Sequence, residues 1–396
     1  MRRRTCAPLV VAVVALAGLL AGCGAKGTPL AAELDVRTLD VGPYAVDRYD
    51  YSRHSAGDGA LLEGMRMSQA VVPTVRIDPA LSIGAGGRVV PDSENATDHL
   101  LAGVSKAVLD RRSMVVGYVA GGADRAEVPA PGATAITNLV LRFPDAQTAA
   151  LAARELEDAD FGVAPDVNRK LTLPQYPDAF IHYRPGVANI GTFMAYREFV
   201  ISLFVERPRP EEPDLLAWVQ KTLDAQVPAL DRFQPTPQNR LSELPLDPDR
   251  LLARAVVRDR DQKADADRFA VFGAPAFVHP ATDESARQRL VEDTGLDAIA
   301  IAETSSVLRV RDSDAGARLI NGLITGSGSQ YDPVTAPAGV PGAKCLQLNS
   351  KGNSRDEAAY RCYIPYRRYV QVVVADSQQD VGYRTAAAYA LMANNY

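Results

Sequence analysis

One cysteine near the N-terminus has the surroundings of a processed thiol. Arginines at positions 2–4 precede an uncharged apolar run over residues 9–20, and Cys23 follows two small residues. A short apolar run behind basic residues is typical of a secretory signal peptide, and it is shorter than the roughly 20 residues that a membrane-spanning helix needs. We therefore expect export across a cytoplasmic membrane, with residues 1–22 as a signal peptide that is removed.

The four residues Leu20-Ala21-Gly22-Cys23 resemble the lipobox of bacterial lipoprotein precursors. In such precursors a diacylglyceryl group is attached to the cysteine thiol, and a peptidase cleaves before the cysteine. The resemblance implies lipidation of Cys23, and two acyl chains hold a protein stably on a bilayer. The alternative is an ordinary signal peptide with an accidental cysteine. The predicted location is the extracytoplasmic face of the cell membrane, with residues 23–35 as a lipidated tether.

Two further cysteines can react with each other in the exported chain. Cys6 is lost with the signal peptide, whereas Cys345 and Cys362 form an even pair in an oxidising compartment. We expect a disulfide between them. Free thiols or a metal site are the alternatives, but two cysteines without a nearby histidine make a poor zinc site. The sequence therefore predicts no metal and no cofactor.

Four other residues are candidates for binding a ligand. Arg197 and Arg367 occupy equivalent places in two similar segments. Each could bind an anionic ligand, or instead cover a sheet edge or pair with a nearby carboxylate. Tyr331 and Asp332 lie in a segment rich in Gly, Ser and Pro over residues 326–342. Such long loops are often functional or simply disordered, so the loop is a candidate for contact with a ligand.

No pattern in the chain predicts a catalytic residue. Histidines occur at positions 54, 99, 182 and 279, too far apart in sequence for a metal-binding pair. Ser105 lies two residues after Gly103, as in a nucleophile elbow, but it falls in a predicted helix and no second glycine follows it. The glycine-rich residues 84–87 lack the rest of a nucleotide-binding motif and predict a turn. Enzymatic activity is therefore less favoured than binding.

Composition narrows the function classes. The chain has 43 basic and 48 acidic residues, and removal of the signal peptide would make it more acidic by three charges. Nucleic-acid binding needs a basic face, so nucleic acid is not a predicted partner. The length allows two domains with their own cores.

One order of elements occurs twice along the chain. In the first copy, a strand over 135–143 is followed by a helix that Asp145 opens, strands over 180–183 and 195–205, and a helix over 211–230. In the second copy, the same order occupies the following ranges: a strand over 306–310, a helix over 312–323, strands over 344–348 and 360–374, and a helix over 380–393.

A short motif supports this duplication. The residues Tyr-Arg-Glu-Phe-Val at 196–200 match Tyr-Arg-Arg-Tyr-Val at 366–370. Common order together with common spacing favours a repeat, and chance similarity between two ordinary α+β domains is the alternative. The predicted fold is α+β, with two related βαββα-type domains whose antiparallel sheets are covered by helices.

Domain boundaries follow from these copies. We expect an N-terminal domain over 36–233, a proline-rich linker over 234–248, and a C-terminal domain with the disulfide over 249–396. Segments upstream of each copy are predicted to add helical cover. They are residues 60–72, 98–109, 247–257 and 282–296.

Several segments together resemble a family of actinobacterial lipoproteins with paired N- and C-terminal domains of unknown function. Besides the lipobox, they are Leu-Asp-Val-Gly-Pro-Tyr at 39–44, Leu-Leu-Glu-Gly-Met-Arg-Met at 61–67 and Ile-Asp-Pro at 77–79. The resemblance implies an envelope location and two domains, and it implies no catalytic residue. More loosely, the order of elements resembles extracellular sensor domains of actinobacterial receptor kinases.

The sequence leads to three hypotheses about function. The first is a membrane-tethered protein that binds an envelope protein or a small or lipidic ligand, in the cleft between domains or beside the 326–342 loop. The second is a hydrolase or wall-modifying enzyme, which would need His279 near a serine and a carboxylate in one pocket. The third is a purely structural envelope protein.

Overall fold

Two antiparallel β-sheets of seven strands each organise the part of the chain that the structure describes. The structure is a computed structural model, and it describes residues 34–51, 57–126 and 132–396. The predicted signal peptide, the predicted lipidation site Cys23 and His54 lie outside the described residues. The two sheets and their covering helices confirm the predicted α+β fold.

The first sheet lies in the N-terminal half. Its strands are β1 (Ile83–Val90), β2 (Val116–Ala123), β3 (Ala135–Arg142), β4 (Arg169–Leu171), β5 (Ala179–Tyr183), β6 (Asn189–Tyr196) and β7 (Phe199–Glu206). The helices of this half are α1 (Gly59–Met67), α2 (Ser93–His99), α3 (Lys106–Arg111), α4 (Ala146–Phe161) and α5 (Glu212–Arg232). The strands lie in the order β1-β2-β3-β7-β6-β5-β4.

The second sheet repeats this order. Its strands are β8 (Phe269–Gly273), β9 (Ala298–Ala302), β10 (Ser305–Arg309), β11 (Tyr331–Val334), β12 (Lys344–Leu348), β13 (Tyr360–Tyr366) and β14 (Tyr369–Ala375). Its helices are α6 (Pro275–Val278), α7 (Glu284–Thr294), α8 (Ser313–Gly326) and α9 (Gln378–Asn394). From one edge to the other the order is β8-β9-β10-β14-β13-β12-β11, so corresponding strands occupy corresponding places.

The helix that follows the third strand begins in the same way in both halves. The carboxylate of Asp145 accepts a hydrogen bond from the backbone N–H of Thr148 at 2.7 Å. The carboxylate of Asp312 accepts one from the N–H of Ala315 at 2.8 Å. Both bonds satisfy donors that the first turn of a helix leaves open, and they place the helix starts where the sequence predicts them.

The sequence predicts one long strand over 195–205 and another over 360–374. Both predictions are wrong, because each segment contains the turn of a tight hairpin. Tyr196 pairs with Phe199 across the first turn, and Tyr366 pairs with Tyr369 across the second. The residue that follows the tyrosine is an arginine with positive φ in both turns, 54° at Arg197 and 51° at Arg367. Glycine or asparagine usually marks such a turn, and neither residue occurs in these turns, so the pattern did not predict them.

The first two strands of each sheet were also missed. Residues 84–87, predicted as a turn, lie within β1, where a bulge falls between Gly84 and Gly86.

The predicted helix over 247–257 contains only the short 3₁₀ helix Leu252–Arg254. The carboxylate of Asp247 accepts hydrogen bonds from the N–H groups of Leu252 and Ala253, at 3.0 and 2.8 Å, and these bonds compete with helix formation.

Each sheet has a buried core against the helix that follows its third strand. In the first half, Phe143, Leu156 and Phe193 belong to this core. In the second half, Leu319 and Tyr363 occupy the corresponding core between the sheet and α8. Burial of one such large apolar side chain contributes about 1.5–3 kcal/mol, so each half has a substantial core of its own.

The edge strand β1 of the first sheet meets the segment that follows α6 at a seam between the halves. The N–H of Gly84 in β1 donates to the carbonyl of Ala281 at 2.8 Å, and the N–H of Gly86 donates to the carbonyl of His279 at 3.0 Å. A Cβ atom at Gly84 would lie 2.1 Å from the His279 carbonyl oxygen, so glycine permits this approach. The seam pairs an edge that would otherwise expose backbone groups, and residues Val36–Tyr396 form one compact unit.

The proline-rich segment between the halves is anchored at its start. The backbone N–H of Thr236 donates to Oε1 of Glu63 at 2.9 Å. The same oxygen accepts a hydrogen bond from Arg142 at 2.7 Å, and both of these charged side chains are buried. Because a buried ion pair is costly to break, the start of this segment is fixed against α1 and β3.

The segment before α1 lies against the second half. The hydroxyl of Tyr44 donates to Oδ1 of Asp380 in α9 at 2.6 Å. The side-chain amide of Asn394 donates to the carbonyl of Val46, also at 2.6 Å. Residues 36–50, which the sequence analysis assigned to the N-terminal domain, therefore cross to the C-terminal one.

Candidate functional site

Cys345 and Cys362 lie directly opposite each other on β12 and β13. Their sulfur atoms are 2.01 Å apart, so they form the disulfide that the sequence predicts. Both cysteines are buried. The bond ties two neighbouring strands together, and it gives one wall of the adjacent cavity a rigid base.

A cavity of about 450 Å³ lies beside this disulfide, between the connection that follows β11 and the helix α9. We call it the hairpin cavity. Its walls are largely apolar, with amides and one carboxylate at the margin. They are formed by Asp40, residues 334–338, Cys345, Tyr360, Gln378, Gln379, Val381, Gly382, Tyr383 and Ala386.

A second depression of about 480 Å³ adjoins the hairpin cavity, and we call it the polar groove. Its lining is charged or polar, apart from one proline. The lining residues are Pro43, Arg258, Asp376, Ser377, Gln379, Asp380 and Tyr383. Gln379 and Tyr383 line both spaces, so they form the wall between them.

The shared wall is held in place by local contacts. The side-chain amide of Gln379 donates to the hydroxyl of Tyr383 at 2.9 Å. Gly42 lies on the other side of the tyrosine ring, where an added Cβ atom would be 2.5 Å from the ring. Gly42 also has a φ of 54°, which favours glycine. The segment before α1 thus determines where Tyr383 can lie.

A hydrogen-bonded group fixes that segment to α9. Asp380 accepts from the Tyr44 hydroxyl at 2.6 Å and from Nε of Arg384 at 2.9 Å. Burial by itself would raise the pKa of Asp380, but the hydrogen bonds from Tyr44 and Arg384 outweigh it and hold the pKa below its usual value. Burial and the bond to Asp380 raise the pKa of Tyr44. Asp380 is therefore a charged anchor at neutral pH.

The cleft between the two halves is smaller. It has a volume of about 260 Å³ and lies between α1 and the β8–β9 edge of the second sheet. Its charged residues already have partners: Arg309 contacts Asp297 at 2.7 Å and Asp249 at 2.8 Å. Arg66 is held by Glu63 at 2.5 Å. Its small volume and paired charges make this cleft a weaker candidate than the hairpin cavity.

Tyr331 and Asp332 do not lie in a loop as predicted, because both belong to the edge strand β11. The Tyr331 side chain is buried in the core, and its hydroxyl donates to the carbonyl of Ala358 at 3.0 Å. Asp332 is exposed and accepts a hydrogen bond from Asn349 at 3.1 Å. Neither lines the hairpin cavity, which instead uses the residues just after β11.

The structure places Arg197 and Arg367 at the tips of corresponding hairpins. The guanidinium of Arg197 reaches the carbonyls of Leu230 and Phe233 at the end of α5, at 3.4 and 3.5 Å. The guanidinium of Arg367 lies 3.7 Å from the ring centre of Tyr396. Neither arginine lines the cavity or the groove. Their contacts favour the structural alternative over anion binding.

His279 does not have the surroundings of a catalytic base. It is fully buried at the seam, with Nε2 at 3.1 Å from the carbonyl of Val71 and Nδ1 at 3.3 Å from the hydroxyl of Tyr118. A carbonyl only accepts, so Nε2 carries the hydrogen and Nδ1 accepts from the tyrosine. Burial lowers the pKa of His279 to about 4, which keeps it neutral. The partners of His279 are thus a carbonyl and a tyrosine, rather than the serine and carboxylate that the alternative enzyme hypothesis would require.

His182 is engaged by two carboxylates. Its Nδ1 lies 2.7 Å from Glu157 and its Nε2 lies 3.7 Å from Asp160. Burial alone would lower the pKa of His182, but these neighbours raise it. His99 lies in the last turn of α2. Within the described ranges, no group of three or more His, Cys, Asp or Glu residues is arranged to hold a metal ion.

Sequence reasoning found the cavity's neighbourhood but missed its main residues. The disulfide and the nearby loop were predicted, whereas Asp40, Gln379 and Tyr383 were not singled out. The motif at 39–44, with its glycine and proline close to an aspartate, was a signal that this segment has a fixed conformation.

Across the part of the chain that the structure describes, no helix is long and apolar enough to cross a bilayer.

Comparison with known proteins gives a family without an assigned activity. A domain of unknown function, DUF7373, matches in two parts: its N-terminal domain over residues 50–246 and its C-terminal domain over residues 251–395. No curated protein matches the chain. The chain has 10% identity and a TM-score of 0.30 with the crystal structure of the extracellular domain of PknH from Mycobacterium tuberculosis, over 48% of this chain and 100% of that one. The two matches show that the chain belongs to the DUF7373 family and contains both of its domains.

Proposed function

We propose that this protein is a lipid-anchored binding protein of the cell envelope, which takes up a small, largely apolar ligand in the hairpin cavity. The observation that carries the proposal is the cavity itself: about 450 Å³ of space with mostly apolar walls and a few polar groups at its margin. Ligand sites in proteins typically measure 300–1,000 Å³ and have this kind of lining. The cleft between the two halves has a volume of about 260 Å³, which is below that range.

The walls of the cavity are set on rigid elements. The disulfide joins β12 to β13 on one side, and α9 extends over Gln378–Asn394 on the other. A site whose walls are already ordered loses little conformational entropy when a ligand binds. This preorganisation favours a binding role over a purely structural one, for which no open space would be needed.

The location of the cavity agrees with a membrane tether. Asp40 lines the cavity, and it lies only a few residues after the predicted tether over 23–35. An anchor at Cys23 would limit the distance of the cavity from the lipid, because the 17 residues from Cys23 to Asp40 reach at most about 60 Å when fully extended. We expect the ligand to come from, or be delivered to, that membrane.

Native mass spectrometry of the protein purified from its own envelope tests the binding proposal. Gly382 lines the cavity, and a Cβ atom added there would lie 3.9 Å from Pro337, so the backbone admits a side chain and Gly382→Leu should occupy part of the space. We expect a bound mass on the wild type and its loss in the variant. Gly326→Leu is the matched control, since it adds the same side chain at the end of α8, where nothing lies within 4 Å. The proposal is contradicted if the wild-type protein carries no bound mass, or if the Gly382→Leu variant still carries that mass.

Fractionation tests the anchor. Wild-type protein should sediment with membranes and incorporate labelled fatty acid, whereas Cys23→Ser should do neither. Membrane association of the Cys23→Ser variant without labelling would show that something other than this thiol holds the protein in place.

A further inference from the structure

We infer that the ligand is amphipathic, with an apolar chain in the hairpin cavity and an uncharged, hydroxyl-rich head in the polar groove. This inference rests on the proposed function and names the ligand class for the same site. It starts from the observation that the two spaces adjoin along a shared wall of Gln379 and Tyr383. One molecule that fills both must change from apolar to polar along its length.

The chemistry of the two spaces differs sharply. Val381, Gly382 and Ala386 give the cavity side of α9 an apolar surface. The groove side of the same helix and its preceding turn carry Asp376 and Asp380 instead. An apolar chain gains free energy only where it leaves water for apolar walls, about 0.8 kcal/mol per buried methylene group, so it belongs in the cavity.

The charges of the groove decide the type of head. The groove is lined by one basic residue, Arg258, together with Asp376 and Asp380. An anionic head would approach two carboxylates, and a cationic head would approach the guanidinium. A head with many hydroxyl groups carries no charge, and it can donate to the carboxylates while it accepts from the arginine. This makes a glycolipid-like molecule the best match.

The availability of these polar groups differs within the groove. Asp380 is already bonded to Tyr44 and Arg384. Asp376 is exposed at the start of the groove and has a long contact, 3.4 Å, with the backbone N–H of Ala359. We therefore expect Asp376 to accept a hydroxyl of the head, while Asp380 mainly holds the groove together.

The test uses three probes with the same twelve-carbon chain: dodecyl maltoside, dodecylphosphocholine and laurate. Their affinities are measured by isothermal titration below their micelle-forming concentrations, on protein freed of bound ligand. We expect the maltoside to bind most tightly, and Asp376→Ala to weaken it by about fivefold, which is the size of one lost hydrogen bond. Asp332→Ala, an exposed aspartate outside both spaces, should leave the affinity unchanged.

The outcomes separate the two proposals. Equal affinity for all three probes, lost in Gly382→Leu, would overturn the amphipathic inference and leave the apolar cavity site intact. Tighter binding of the phosphocholine or of laurate would also overturn it, in favour of a zwitterionic or anionic head. If none of the probes binds and no ligand accompanies the purified protein, the proposed function itself fails.

Discussion

The two halves share a strand order but differ where the fourth strand leads to the fifth. In the first half, the residues after β4 are bound to the last helix: the hydroxyl of Tyr176 donates to Asp224 at 2.6 Å, and Gln220 donates to Gln175 at 3.3 Å. In the second half, the corresponding connection over 335–343 leaves the hairpin cavity between itself and α9. Side-chain hydrogen bonds thus join the connection to the last helix in the first half, whereas a cavity lies between them in the second.

We infer from this difference that the sheet is a common framework, and that the connections between strands determine whether a copy has a ligand-sized space beside its last helix. The seven strands are arranged alike, so the strand order cannot be the source of the cavity. Loops tolerate changes in length and composition that a buried sheet does not. Function in this molecule should therefore respond to changes in the 335–343 connection and in α9 far more than to changes in the first sheet.

The halves also use different means of holding themselves together. The first half depends on the buried ion pair of Glu63 and Arg142, whereas the second half has the disulfide. At the place of the disulfide, the first sheet has Ile181 opposite Thr192. The following predictions test these differences.

The largest effect is expected from the buried ion pair. Arg142→Met leaves the carboxylate of Glu63 buried with less compensation, and it should lower the free energy of unfolding by about 3–5 kcal/mol. Arg309→Met in the second half removes a partly exposed arginine and should cost about 1 kcal/mol. Denaturant titration followed by circular dichroism measures both. Equal losses would contradict the greater dependence of the first half on its buried ion pair.

The disulfide should come next. The double variant Cys345→Ala and Cys362→Ala removes a covalent link between β12 and β13 and should cost about 3 kcal/mol in the chain-entropy view. Thr192→Val changes the equivalent place in the first sheet, where the threonine hydroxyl is buried without a hydrogen-bond partner, so it should be neutral or slightly stabilising. Comparable losses in thermal denaturation would contradict this contrast.

The seam between the halves should respond to pH. Glu284 is buried there and accepts hydrogen bonds from the Thr74 hydroxyl at 3.0 Å and the Val75 N–H at 2.8 Å. Burial raises the pKa of Glu284 from 4.5 to about 7. A raised folded-state pKa means that the stabilising contribution is complete below pH 4.5 and is lost as the pH rises through 7.

Glu284→Gln removes this dependence. Relative to the variant, the wild type should lose up to about 3 kcal/mol of stability between pH 4.5 and 8. His279, whose pKa is lowered to about 4, acts in the opposite direction, because its contribution is lost as the pH falls from 6.5 through 4. The difference between wild type and variant in denaturant titrations at several pH values isolates Glu284. A constant difference would show that the carboxyl group does not titrate in this range.

The smallest effect is expected at the two hairpin tips. Arg197→Gly and Arg367→Gly each relieve a positive φ but lose the contacts of the guanidinium, so the net change should stay below about 1 kcal/mol in either half. Binding of the dodecyl probes should not change. Loss of binding in Arg367→Gly, but not in Arg197→Gly, would show that Arg367 contacts the ligand.

Local signals predicted many elements correctly. The helices that begin after Asp145 and Asp312 were predicted because an aspartate cap and an apolar stripe act over a few residues. Strands β1, β2, β8 and β9 were missed because they are short or rich in glycine. Their conformation depends on the neighbours with which they pair.

The sequence by itself determined the signal-like N-terminus, the α+β composition, the repeated order of elements and the pairing of Cys345 with Cys362. These follow from the residues at hand, from short-range periodicity or from an even count of thiols. Only the tertiary structure decided that the two sheets share one strand order and that the hairpin cavity forms beside the disulfide. Asp40, Pro337 and Tyr383 are distant in sequence, and packing of the chain is what brings such residues around one space.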